Sequence, residues 1–204
     1  MKAKLVLSLV SIFLIGFTGA SYAAGSAKAG EAKAQVCFSC HGAKGVSANP
    51  AWPKLAGQHA AYIAKQLADF KKGKDRNDPL MASQVANLKP EDMADLGAYF
   101  AAQTRAGGTA DKTKIEMGQN IYRGGNKTSG VAACTACHGP TGTGNPVAGF
   151  PALSGQHAAY VKKALNDFKA GKRTNDAGMM MRDIAKRMSD DEIDAVASYI
   201  QGLK

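Results

Sequence analysis

The chain has 204 residues, 45% of them hydrophobic, with 26 Lys and Arg against 16 Asp and Glu and a formal net charge of +10. That length suits one medium domain or two small ones. The lysines are scattered and no nucleic-acid motif accompanies them, so the charge reads as solvated surface biased toward an acidic protein partner, and nucleic acid is excluded as a partner.

Residues 1–23 read as a secretory signal peptide. Lys2 and Lys4 form a positive start, Leu5 to Phe17 a mostly apolar core, and Ser21-Tyr22-Ala23 puts small residues where a signal peptidase reads them. The apolar core is short for a membrane span. Cleavage is expected after Ala23, within a residue or two, and an uncleaved membrane anchor is the competing reading.

The mature chain then reads as helices in two copies. Ala27 to Val36, rich in Ala, Lys and Glu, leads into Cys37-Phe38-Ser39-Cys40-His41. A Gly- and Pro-rich stretch to Pro53 follows. A second helix is expected from His59 to Lys72, with Ile63, Leu67 and Phe70 forming one apolar stripe. Met81 follows the loop Asn77-Asp78-Pro79. The last helix of this copy starts at Pro90, a first-turn proline followed by acidic residues.

The polar, small-residue stretch from Gln103 to Asp111 reads as a linker. After it the pattern returns. Lys112 to Tyr122 precedes Cys134-Thr135-Ala136-Cys137-His138, and Val161, Leu165 and Phe168 repeat the stripe. A capping box of Ser189 and Glu192 opens the final helix, with Ile193, Val196 and Ile200 facing inward. Pro53-Lys54-Leu55-Ala56-Gly57-Gln58-His59 matches Pro151-Ala152-Leu153-Ser154-Gly155-Gln156-His157. So long a period means duplicated domains, expected at 24–105 and 106–204. Residues 24–105 carry 11 basic against 7 acidic side chains, and residues 106–204 carry 13 against 9, so each half is formally +4. No alternating strand pattern appears.

Both pentapeptides have the form C-x-x-C-H, the attachment signature of c-type haem. Cys37 and Cys40, and again Cys134 and Cys137, can each add across a haem vinyl group, while His41 and His138 are placed to ligate the iron. A shared zinc site is disfavoured because zinc pairs are usually about 15–20 residues apart, whereas 96 residues lie between Cys37 and Cys134. A thioredoxin-like dithiol lacks its βαβ context, and disulfides would not need the histidines.

A low-spin electron carrier wants a second axial ligand, methionine or histidine. His59 and His157 stand at the starts of the second helices and read as polar helix-start residues. Met81 and Met181 each lie 18 residues before a tyrosine of the last helix, Tyr99 and Tyr199, and this matched register favours them. Met179 and Met180 compete with Met181, because two extra residues have entered that loop.

On these motifs, together with Arg173-Thr174-Asn175-Asp176, Met181-Arg182 and the ending Ser198-Tyr199-Ile200-Gln201-Gly202-Leu203, the chain resembles the cytochrome c4 family over its mature length. The resemblance implies an all-α fold of two tandem class I cytochrome c domains, each wrapped around one covalently bound haem. It implies two c-type haems, with His41 and Met81 on the first iron and His138 and Met181 on the second. Pro53 and Pro151 match the family position whose carbonyl accepts a hydrogen bond from the proximal histidine. The family's first helix often carries a glycine with an aromatic residue four positions on; Gly118 and Tyr122 keep this, while Gly30 and Ala34 are not expected to. The function implied is that of a periplasmic one-electron carrier, a non-enzyme, running from a quinol-oxidising cytochrome complex to a terminal oxidase or periplasmic reductase. It would be a monomer, soluble or peripherally membrane-associated. A dihaem peroxidase-like enzyme is the alternative; it would need one iron with an open site.

Overall fold

The structure, a computed structural model, describes residues 25–204. The expected signal peptide at 1–23 lies outside the described residues. In the first half α1 (Ala27–Lys33) runs through a 3₁₀ turn into α2 (Phe38–His41), and α3 (Ala60–Lys72), α4 (Pro79–Val85) and α5 (Pro90–Ala101) follow. The second half repeats this as α6 (Ile115–Gly124), α7 (Thr135–His138), α8 (Ala158–Lys169), α9 (Met180–Arg187) and α10 (Asp190–Gly202). Residues 104–111 between the halves form no regular structure. Among the described residues there are no strands, only isolated bridges such as Arg76 with Arg173.

The helix ends follow local chemistry. Ser189 accepts from the Glu192 N–H at 3.1 Å and Glu192 accepts from the Ser189 N–H at 2.8 Å, so the capping box of α10 is formed. Pro90 occupies the first turn of α5, where Asp92 accepts from the Lys89 N–H at 2.9 Å. α4 and α9 went unread in the sequence. Seven or eight residues cannot hold a helix on propensity, so these two depend on local anchoring. Asp78 caps α4 by accepting from Leu80 and Met81 N–H at 3.1 and 3.2 Å. Asp176 grips Arg182 of α9 at both backbone N (3.0 Å) and Nε (2.7 Å).

In each half the first helix crosses the last at a glycine. A Cβ on Gly30 would lie 2.0 Å from the Asp95 carbonyl oxygen of α5, and one on Gly118 would lie 2.3 Å from that of Ala195 in α10. Gly30 therefore makes the same helix crossing although the glycine-plus-aromatic pair is not kept in this half. Ala34 is fully buried, and Tyr99 meets Phe38, from inside the C-x-x-C motif, with ring centroids 6.1 Å apart, as well as its neighbour Phe100 at 5.1 Å. In the second half Tyr122 faces Tyr199 at 5.5 Å. Lys33 ties α1 to α5 through Asp92 and Asp95, both at 2.6 Å. The first core gathers Ala34, Ile63, Leu96, Tyr99 and Phe100; the second is built around Tyr122, Leu165, Ile193, Val196 and Ile200.

The halves meet along α3 and α8 in a near-symmetric seam. Arg76 lies over the Phe70 ring at 4.2 Å and donates to Tyr160 of the other half at 2.8 Å. Arg173 lies over Phe168 at 4.5 Å and donates to Tyr62 at 2.9 Å. Gln66 accepts from both guanidinium groups. Arg105, leaving α5, donates to Gly57 O in its own half and to Ser154 Oγ in the other.

Candidate haem sites

Cys37 stands at the N-cap of α2 and Cys134 at that of α7, so each C-x-x-C-H occupies one helical turn. That turn puts the two thiols of a motif, three residues apart, on one face. All four cysteines are free. Burial pushes the Cys37 thiol up and the Cys134 thiol up to about 11, so both are thiols rather than thiolates at neutral pH.

His41 and His138 close their turns and are each 7% exposed. His41 Nδ1 lies 2.9 Å from the Pro53 carbonyl oxygen, and His138 Nδ1 lies 2.9 Å from that of Pro151. A carbonyl only accepts, so Nδ1 carries the proton and Nε2 carries the lone pair. Burial holds both rings below the ordinary histidine pKa, against a smaller upward pull from the proline carbonyls, which keeps that lone pair available.

Met81 lies in the first turn of α4 and Met181 in the first turn of α9, both half-buried. Met181 packs against the second core, whereas Met179 and Met180 are 43% and 42% exposed. Of the three, Met181 is the one turned inward. His157 Nε2 is engaged across the seam with Ser47 O at 2.9 Å and Ser47 Oγ at 3.0 Å, so its nitrogen is spent on an interdomain hydrogen bond.

The residues present suit a porphyrin that brings its own iron. Each half offers two free thiols on one face and one neutral, oriented imidazole. Among the described residues, no group of three His, Cys, Asp or Glu side chains gathers to hold a metal ion by itself.

The family model "Cytochrome c" matches residues 27–104 and again 115–204. Cytochrome c4 of Pseudomonas aeruginosa is 50% identical over 197 residues, covering 96% of this chain and 98% of that one.

The chain belongs to the cytochrome c4 family.

The crystal structure of reduced recombinant cytochrome c4 from Pseudomonas stutzeri superposes with a TM-score of 0.86 at 45% identity, covering 89% of this chain and all of that one. A thiosulfate dehydrogenase electron acceptor of Stutzerimonas stutzeri is 40% identical over 171 residues, 81% of this chain and 78% of its own. As a cytochrome c4 the chain is a dihaem electron-transfer protein, not an enzyme, and carries two covalently bound c-type haems. The peroxidase alternative finds no support among these relatives.

Sequence reasoning missed the second partner of each proline segment. Gln58 and Gln156 reach across the seam to the backbone of Ala152 and Lys54. The available signal was the Gln-His pair repeated in both copies.

Proposed function

We propose that this cytochrome is a periplasmic one-electron carrier, built of units 24–105 and 106–204, that runs between a quinol-oxidising cytochrome complex and a terminal oxidase or reductase. It works as a monomer, soluble or peripherally bound to the membrane; among the described residues no helix is long and apolar enough to cross one. Cys37 and Cys40 hold the first haem and Cys134 and Cys137 the second. His41 and His138 would ligate the irons through Nε2, and Met81 and Met181 would each offer a soft sulfur as the second protein ligand. Bound in these sites, haem supplies a ferric–ferrous couple. The chain's task would be to hold the iron with a histidine and a methionine in each half, so that no substrate reaches it, and to keep the imidazoles from rotating.

The observation that carries this reading is the pair of Nδ1 contacts to Pro53 and Pro151, equal at 2.9 Å in the two halves. Each leaves Nε2 as the ligating atom of an oriented ring. Intact mass with a pyridine haemochrome assay tests it: export-competent expression should yield a chain heavier than the apoprotein by two haems. One haem, or bound zinc, overturns it. Prompt carbon monoxide binding at either reduced centre overturns the closed axial shell.

The similarity to the thiosulfate dehydrogenase electron acceptor favours a second donor, a periplasmic thiosulfate-oxidising enzyme. Reduction kinetics with each donor separate the two readings.

A further inference from the structure

We propose that Gln58 and Gln156 are cross-domain positioning residues, each setting from the opposite half of the molecule the strength of the other half's proximal histidine hydrogen bond. This rests on His41 and His138 being the iron ligands. The Pro53 carbonyl that accepts from His41 belongs to the same peptide unit as the Lys54 N–H. That N–H donates to Gln156 Oε1 at 2.9 Å. In the mirror arrangement the Pro151 carbonyl accepts from His138, and the Ala152 N–H of its peptide unit donates to Gln58 Oε1 at 3.0 Å.

Each glutamine then closes a ring. Gln156 Nε2 donates to Lys54 O at 2.9 Å, and Gln58 Nε2 donates to Ala152 O at 2.9 Å. Each Oε1 also accepts from the next backbone N–H of its own half, His59 or His157, both at 3.0 Å. Two N–H groups facing one amide oxygen settle which end of the side chain is which. Gln58 is 9% exposed, so little water competes.

A peptide unit is polarised as a whole. Accepting a proton donor at one end and donating at the other strengthens both bonds, by about 10–30% per bond in condensed-phase estimates. With its N–H engaged, the proline carbonyl accepts more strongly from Nδ1–H. That raises the basicity of the imidazole toward iron and favours the ferric state. The crossing is the distinctive feature: a residue of the second half acts on the first redox centre, and the reverse.

The test uses holoprotein and reads two quantities: the potential of each haem by spectroelectrochemical titration, and the Nδ1–H proton signal of each proximal histidine in the reduced protein. Gln156→Leu should raise the first centre's ferrous-to-ferric ratio at fixed applied potential by about twofold or more, weaken the His41 Nδ1–H bond, and leave the second centre in place. Gln58→Leu should do the same to the second centre only. Gln156→Glu keeps a stronger acceptor for the Lys54 N–H but gives up the donor to Lys54 O; it should move the first centre the other way and strengthen the His41 Nδ1–H bond, a proton signal that the added charge alone would leave unmoved, and it carries the test if the leucine variant does not fold. Arg105→Lys disturbs neighbouring interdomain bonds without touching either peptide unit, and both potentials should hold. Equal shifts at both centres, shifts confined to the substituted half, or an Arg105→Lys variant that reproduces them would overturn the proposal. A spectrum without histidine ligation in the unsubstituted protein would instead overturn the assignment of His41 and His138, and this proposal with it; loss of the methionine signature alone would overturn Met81 and Met181 and leave the proposal standing.

Discussion

Arg173 reaches from one half of the molecule to donate to the phenol oxygen of Tyr62 in the other, 2.9 Å away and 111 positions distant in the chain. Arg173 is 8% exposed and its guanidinium lies over Phe168, with no carboxylate within ion-pair distance among the described residues. Its stabilisation comes from Tyr62, Gln66, Asn175 and the ring face beneath it. Removing it takes the donor from the Tyr62 phenol oxygen and from Asn175 Oδ1, while Gln66 keeps Arg76. Arg173→Ala should therefore cost about 2–4 kcal/mol in denaturant unfolding, and calorimetry should resolve two transitions for the variant and a single one for the unsubstituted protein. Lysine should not rescue it, having no planar fork to reach Tyr62 and Asn175 together.

The methionines give a prediction read by spectroscopy. Met81→Ala should remove the near-infrared sulfur-to-iron band of the first centre, and Met181→Ala that of the second, each opening its own haem to carbon monoxide. Each loss should lower that centre's potential, because a thioether favours ferrous iron. Met179→Ala and Met180→Ala, on exposed side chains, should leave both bands intact. Loss of a band in Met179→Ala with survival in Met181→Ala would show the register to be wrong.

Acid should loosen the segment that carries Met181. Burial alone would raise the Asp176 pKa, but backbone and side-chain hydrogen bonds from Arg182 more than offset it and hold the carboxyl below the ordinary aspartate value. A group depressed in the folded state contributes stability that is present above the unfolded pKa, about 3.9. That contribution is lost as pH falls through the folded value. The near-infrared band of the second centre should therefore weaken below about pH 4. In Asp176→Asn it should be weaker already at neutral pH and flatter with acid. Identical profiles for the two proteins would count against this role.

Packing gives the sharpest stability prediction. The Cβ of Gly30→Ala would meet the Asp95 backbone carbonyl at 2.0 Å, and that of Gly118→Ala the Ala195 carbonyl at 2.3 Å. Backbone cannot swing aside as a side chain can, so the helices must part. Each variant should lose stability at or above the upper end of the roughly 1–3 kcal/mol typical of overpacking, measured by urea unfolding of holoprotein.

Much of the molecule was legible in the sequence where chemistry demands particular residues at fixed spacing. The two C-x-x-C-H turns, the stripes of α3 and α8 and the capping box of α10 all fall where they were expected. What stayed hidden is tertiary in origin. α4 and α9 are too short to announce themselves by periodicity, and each is held by one aspartate. Phe38 could not be read as a packing partner of Tyr99, because it sits inside a motif already assigned to chemistry. Arg76 and Arg173 play equivalent parts although the repeat aligns Arg76 with Thr174, so alignment alone conceals their pairing.

The glutamine exchange has a consequence for the chain's architecture. Lys54 and Ala152 occupy matching places in the two halves, and each offers its partner glutamine the same backbone N–H and C=O. The contact is thus isologous, with one patch facing its own likeness, as in a twofold dimer. The molecule is built like a homodimer whose two subunits are joined head to tail in one chain. A first half cut free at residue 105 would carry Gln58 and the Lys54 backbone on one surface, complementary to a second copy of itself, and it should associate through that surface rather than persist as a lone domain.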